Sequence, residues 1–168
     1  MKLHLSGPED TLRLGRTLAG LLATSPLPLP ALLLRGDLGS GKTTLVRGFV
    51  ESLPGAEEAE VSSPSFNVCN LYPTTPPVAH FDLYRLEGAR PDDELYDCLS
   101  GEEGLVVVEW IQYLDRRDWP GEALLLEWLP CDHGRELRIS ALGGQSAALL
   151  DEARQHLSQF QAGGECSQ

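Results

Sequence analysis

Lysine is nearly absent from this chain. Its 168 residues include two, Lys2 and Lys42, against eleven arginines. A coding bias toward arginine accounts for the general shortage. It does not account for where the single lysine beyond the N-terminus sits. The shortage also excludes the N-K-x-D pattern used for guanine recognition, since no lysine is placed to form it. Positive charge of any kind is scarce, and the formal net charge is −12. Such a surface repels phosphate backbones at long range, which argues against an independent grip on nucleic acid and favours a basic protein partner. Four cysteines, Cys69, Cys98, Cys131 and Cys166, lie far apart with no C-x-x-C pair. Neither a zinc site nor a disulfide framework is indicated, and free thiols are the expectation. No apolar run reaches membrane-spanning length, and Met1–Leu5 has no apolar stretch after its charge. A cytoplasmic chain without signal peptide or membrane segment is expected.

What is present centres on that second lysine. Gly36-Asp37-Leu38-Gly39-Ser40-Gly41-Lys42-Thr43 matches G-x-x-x-x-G-K-[ST] in full. The pattern has a mechanism. Gly36, Gly39 and Gly41 permit backbone conformations that let consecutive N–H groups turn toward phosphate oxygens. Lys42 supplies a point charge for the β- and γ-phosphates, and Thr43 a hydroxyl for Mg²⁺. The flanks agree with the motif. Pro30–Arg35 is an apolar run of strand length, and Thr43–Leu53 places Leu45, Val46, Phe49, Val50 and Leu53 on one helical face. The helix that follows the loop points its N-terminal dipole at the same anion. ATP and Mg²⁺ are therefore the expected ligands.

The rest of the chain reads as alternating helices and strands. Lys2–Leu5 predicts a strand. Ser6 and Glu9 form a candidate capping box for a helix to about Ala23, with Leu12, Leu18, Leu21 and Leu22 inward. Phe66–Tyr72 and Val78–Tyr84 predict an antiparallel strand pair across a proline-rich turn. A short acidic helix is expected over Pro91–Leu99 and a central strand over Leu105–Trp110. Two more strands, Glu122–Leu129 and Glu136–Leu142, precede a helix over Ser146–Phe160. The expectation is one three-layer α/β domain over residues 1–160, P-loop NTPase-like, with a mixed parallel and antiparallel sheet. A disordered tail is expected over 161–168.

Phosphoryl chemistry needs a carboxylate to organise metal and a group to place the nucleophile. Glu109 ends the apolar run Leu105–Val108 and is the first candidate. Asp82, in His80-Phe81-Asp82-Leu83-Tyr84-Arg85, is the second. Ser62-Ser63-Pro64-Ser65 is a hydroxyl-rich segment where many NTPases place a γ-phosphate-sensing switch, though its composition fits an ordinary polar turn equally well. His80 reads as a packed or hydrogen-bonded strand residue. Trp110 is free to stack on a base or a partner, while Trp119 and Trp128 read as core aromatics.

GDLGSGKTT (36–44), SPSF (63–66), HFDLYR (80–85) and VVVEW (106–110), in this order and spacing, closely resemble the bacterial TsaE (YjeE) family. The likeness extends over about residues 8–140. It implies an ATPase, weak alone, that serves the threonylcarbamoyladenosine modification of tRNA at adenosine 37 together with TsaD and TsaB proteins. The tRNA would then be held by the partners. On the matching positions, the resemblance implies that Gly39, Ser40, Gly41, Lys42, Thr43 and Thr44 hold phosphates. Thr43 and Glu109 would serve the metal and Asp82 hydrolysis. Thr11 is placed near the adenine and Arg135 near the nucleotide. Two departures stand out. Ser65 occupies a position usually held by threonine, and Ile111 one often held by proline. A small-molecule kinase and a non-catalytic nucleotide-dependent interaction module are the competing readings.

Overall fold

Side-chain alternation along the strands decides what each face of the sheet carries. The structure is a computed structural model and describes residues 1–26, 28–64, 68–87, 89–100, 104–131 and 134–161. The strands are β1 (Lys2–Leu5), β2 (Ala31–Arg35), β3 (Cys69–Tyr72), β4 (Val78–Asp82), β5 (Leu105–Glu109), β6 (Ala123–Leu129) and β7 (Arg135–Leu142). They form one mixed sheet in the order β1-β7-β6-β2-β5-β4-β3. β2 runs parallel to β5 and β6, and β4 parallel to β5. The β1–β7, β6–β7 and β3–β4 pairs are antiparallel. The helices are α1 (Pro8–Ala23), α2 (Lys42–Glu51), α3 (Asp93–Ser100) and α4 (Gly144–Leu157). The expected α/β architecture with a mixed sheet is the one observed. None of the described helices is long and apolar enough to cross a membrane.

Leu32, Leu34, Val78, Leu105 and Val107 face the layer of α1, α2 and α4. Ala31, Leu33, Phe81, Val106 and Val108 face the opposite layer, which includes Leu95 of α3 and Ile111. The near-continuous apolar runs of β2 and β5 follow from this, because both faces of an interior parallel strand are covered. The same period of two places His80 and Asp82 with Val78, and Glu109 with Val107, on the α2 side. The polar residues at the strand ends therefore point toward the helix that follows the glycine loop.

α1 lies against α2 at backbone distance. A Cβ on Gly15 would come 2.2 Å from the Leu45 carbonyl oxygen, and one on Gly48 would come 2.2 Å from that of Leu12. Two glycines inside helices, each costly for propensity, are explained by this contact.

Several element ends differ from expectation. The N-cap of α1 is Gly7, with no side-chain cap bond, because Pro8 suits the first helical turn. Asp10, not Glu9, reaches back and accepts from the Ser6 N–H at 2.9 Å. Leu12 and Leu21 are half-buried, and Leu14, Gly15 and Ala19 join Leu18 and Leu22 inside. β3 begins at Cys69, and Phe66 lies outside the described residues. β4 stops at Asp82, where the chain turns. α4 starts at Gly144, and a separate turn covers Ser158–Phe160. Cys69 and Cys98 are free, as expected, whereas Cys131 is disulfide-bonded, which corrects that expectation. Residues 162–168, most of the expected tail, lie outside the described residues.

The start of α4 is capped from a distance. The Glu122 carboxylate accepts from the Ser146 N–H at 2.7 Å, the Ser146 hydroxyl at 2.8 Å and the Gln145 N–H at 3.3 Å. The Ser146 backbone bond is the main cause that holds this carboxyl below its ordinary pKa. A depressed carboxylate stabilises the fold above the ordinary carboxylate range and loses that contribution as pH falls through its folded value. Glu122→Gln should cost about 1 kcal/mol near neutral pH. The gap to the unsubstituted chain should close as the solution is acidified. Chemical denaturation at a series of pH values checks this, and a gap that widens on acidification would contradict it.

Candidate nucleotide site

The glycine loop leaves β2 at Gly36 and enters α2 at Lys42. Gly39 (φ +75°) and Gly41 (φ +110°) lie in the left-handed region, as their expected role requires. Gly36 serves differently. A Cβ there would meet the Trp128 Cβ at 2.9 Å and the Ser40 Oγ at 3.0 Å, so the position demands space, not a special φ.

Lys42 is only 4% exposed. Its ammonium donates to the Gly36 and Asp37 carbonyls at 2.8 Å each and lies 3.9 Å from the centroid of the Trp110 ring. Burial pulls its pKa below the ordinary lysine value, opposed by the charges of Glu109, Asp82 and Asp37. Asp82 and Glu109 are buried too, and they are register partners across the parallel β4–β5 pair. Both carboxylates act on the Lys42 ammonium, while Arg85 and Arg135 add positive charge to the lining of the same cleft.

Glu109 is held by two side chains. Thr43 Oγ1 donates to its oxygens at 3.0 and 3.2 Å, and His80 Nε2 lies 3.0 Å from Oε1. Asp82 accepts from the Tyr84 N–H at 2.9 Å and from the Ser63 hydroxyl. The Thr43 hydroxyl and Glu109 carboxylate are hard oxygen donors. No group of three or more His, Cys, Asp or Glu side chains suited to a metal occurs among the described residues. That donor set fits a Mg²⁺ ion completed by phosphate oxygens and water better than an all-protein cage.

These residues line one cleft of about 410 Å³, bordered by Leu38, Gly39, Gly41, Lys42, Thr43, Thr44, Ser63, Asp82, Glu109, Trp110 and Arg135. Tyr84 and Arg85, which composition and spacing did not single out, line it as well. Both continue the HFDLYR segment, so their nearness to Asp82 was the available signal. Trp110 has φ +60°, a strained setting for a bulky residue, and stands between Tyr84 and Tyr113 at centroid distances of 4.8 and 5.7 Å.

Other expected residues fall around this cleft unevenly. Arg135, the first residue of β7, donates from Nε to the Ser40 carbonyl at 2.8 Å and so braces the loop. The Ser40 hydroxyl is 3.5 Å from the Lys42 ammonium. Thr11 does not line the cleft. Its hydroxyl donates to the Gly7 carbonyl at 3.2 Å, and its methyl lies 3.7 Å from where a Gly41 Cβ would be. Ser62 is exposed, and its carbonyl accepts from Asn70 at 3.2 Å and Tyr72 at 3.5 Å. Ser65 lies outside the described residues. Trp128 sits beside the loop, partly buried, with an Nε1 that has no partner among the described residues.

A family profile described as threonylcarbamoyl adenosine biosynthesis protein TsaE matches residues 5–137. The tRNA threonylcarbamoyladenosine biosynthesis protein TsaE of Bacillus subtilis is 33% identical over 158 residues, covering 93% of this chain and 95% of that protein. Its Aquifex aeolicus counterpart is 34% identical over 136 residues, covering 80% of this chain and 92% of that protein. The crystal structure of YdiB from Bacillus subtilis superposes with a TM-score of 0.71 at 28% identity, covering 93% of this chain and 95% of that one. With a glycine loop, an E-W strand end and an HFDLYR strand on one face, and relatives matched over nearly their full length, the chain belongs to the TsaE family.

Proposed function

We propose that this chain is a Mg²⁺-dependent ATPase of the tRNA N6-threonylcarbamoyladenosine machinery, acting with TsaD and TsaB proteins. The observation that carries the reading is the convergence of Lys42, Thr43, Asp82 and Glu109 on one cleft at the N-terminus of α2. The N–H groups of residues 39–44 and the Lys42 ammonium bind the phosphates, aided by the α2 dipole. Thr43 and Glu109 hold the metal, which when bound neutralises charge on the phosphate oxygens. Asp82 positions the attacking water. Each of its oxygens already accepts one hydrogen bond, from Ser63 or from Tyr84, and each keeps a further lone pair for water. Attack of that water on the γ-phosphorus breaks the bond to the β-phosphate oxygen and releases ADP and phosphate.

The chain alone is a slow enzyme on this reading. The cleft is open to solvent, and a low-dielectric, water-excluded site is where fixed charges act most strongly on a transition state. A partner that covers the Ser62–Pro64 segment and the cleft mouth completes it. The acidic surface leaves tRNA to the partners.

Steady-state ATP turnover with and without a TsaD–TsaB pair, repeated with tRNA, tests the reading. Slow turnover alone and clear acceleration by the pair are expected. Fast turnover by the lone chain, or tight tRNA binding without partners, would overturn it. Asp82→Asn and Glu109→Gln should each lower the stimulated turnover at least about tenfold while changing nucleotide affinity far less. Normal turnover in both variants would place the working carboxylate elsewhere.

A further inference from the structure

His80 has a geometry that packing alone does not explain. It is fully buried in β4 and touches the one carboxylate that also holds Thr43. A histidine kept only to fill the core would have both nitrogens paired, or would be replaced by an apolar ring. Here Nδ1 is buried with no partner among the described residues. Leaving a buried acceptor without a partner is costly. The ring is therefore oriented by its other nitrogen. Glu109 Oε1 accepts hydrogen bonds, so the Nε2 facing it at 3.0 Å carries the hydrogen.

Resting on the nucleotide reading above, we infer that His80 is a positioning residue that fixes the Glu109 carboxylate for the metal through its Nε2–H. Thr43 and His80 meet at the same Oε1 of this buried carboxylate, Thr43 also reaching Oε2, so its rotation is restrained from two elements. Thr43 approaches from α2, and His80 from the neighbouring strand two residues before the Asp82 register position. The ring is itself wedged. Tyr72 stacks on it at 6.3 Å between centroids and 25° between planes, and the Tyr72 hydroxyl reaches the Ser62 carbonyl. Ser63 of the same segment donates to Asp82. The Ser62–Ser63 segment thus contacts both carboxylates, Asp82 directly and Glu109 through Tyr72 and His80. A partner that shifts this segment acts on metal and water placement together.

The test uses the full chain with His80→Phe, His80→Gln and His80→Asn. The readout is affinity for a fluorescent, non-hydrolysable ATP analogue, first with chelator and then over a Mg²⁺ titration. His80→Phe keeps a ring for Tyr72 but has no donor. Its chelator-state affinity should match the unsubstituted chain, and its Mg²⁺ half-point should rise about tenfold or more. His80→Gln places an amide N–H where Nε2 lies and should recover most of the loss. His80→Asn is too short and should not. An unchanged half-point in His80→Phe, or a glutamine variant as impaired as the phenylalanine one, would overturn the inference. Should His80→Phe fail to fold by circular dichroism, the Gln–Asn pair decides, and equal half-points in those two would overturn it. Failure of the unsubstituted chain to bind the analogue would instead overturn the nucleotide reading itself.

Discussion

Lys42→Ala should weaken ATP binding by about a hundredfold or more, the loss of charge-assisted bonds to two phosphate groups. The remaining N–H groups of the loop bind weakly without the ammonium. The fold should survive with a modest penalty of about 1 kcal/mol, because the side chain is buried over the Trp110 ring and leaves that contact behind. The sequence alone suggests no packing role for this lysine, and the structure assigns it one. Calorimetric titration with ATP, paired with a thermal melt of each protein, separates the two effects. A folded variant that binds ATP as tightly as the unsubstituted chain would dismiss the phosphate-loop reading.

Gly48→Ala should be among the most damaging small substitutions at the described residues. The new Cβ would stand 2.2 Å from the Leu12 carbonyl oxygen and 2.8 Å from the Leu12 carbonyl carbon and Cα. These are backbone atoms, so no rotamer change relieves the clash, and α1 must move off α2. A cost of about 3 kcal/mol or more is expected, large against the stability of a chain this size. The effect should reach the site, since α1 carries Thr11 against Gly41. Gly20→Ala is the control. Nothing lies within 4 Å of its Cβ position, and it sits within α1. That change should stabilise by about 0.5–1 kcal/mol, as alanine is the better helix former. Urea denaturation of both variants checks the pair. Equal stability of Gly48→Ala and the unsubstituted chain would mean that the helices are not in backbone contact.

The parts of the molecule legible in the sequence are those whose physics is local. The glycine loop is one, because its residue types are demanded by conformation and charge at fixed spacing. Glu109 is another, because an acid at the end of an apolar run has few places to go. The strands were legible from alternation, and the antiparallel β3–β4 pair from the proline-rich turn between them. What escaped depends on contacts distant along the chain. The bond from His80 to Glu109 exists because β4 lies parallel to β5 in one register, which no short window encodes. Gly15 and Gly48 look like ordinary weak points of helices until α1 is laid on α2. The remote cap from Glu122 to α4 spans 24 residues. The Ser6–Glu9 capping box failed for a local reason: Pro8 set the helix start at Gly7 and moved the acidic partner to Asp10.

The alternation of β4 also determines where this chain can lengthen. A single residue inserted between Val78 and His80 would reverse the facing of everything after it. His80 and Asp82 would turn into the apolar layer around Leu95, and Phe81 would be forced toward the Lys42 ammonium. One insertion would thus bury two polar groups without partners and take Asp82 out of the cleft at the same time. An extra residue at Glu57, exposed between α2 and the Ser62–Pro64 segment, changes no strand register. Length variation among homologous chains should therefore concentrate in such connections and be absent from the five residues of β4.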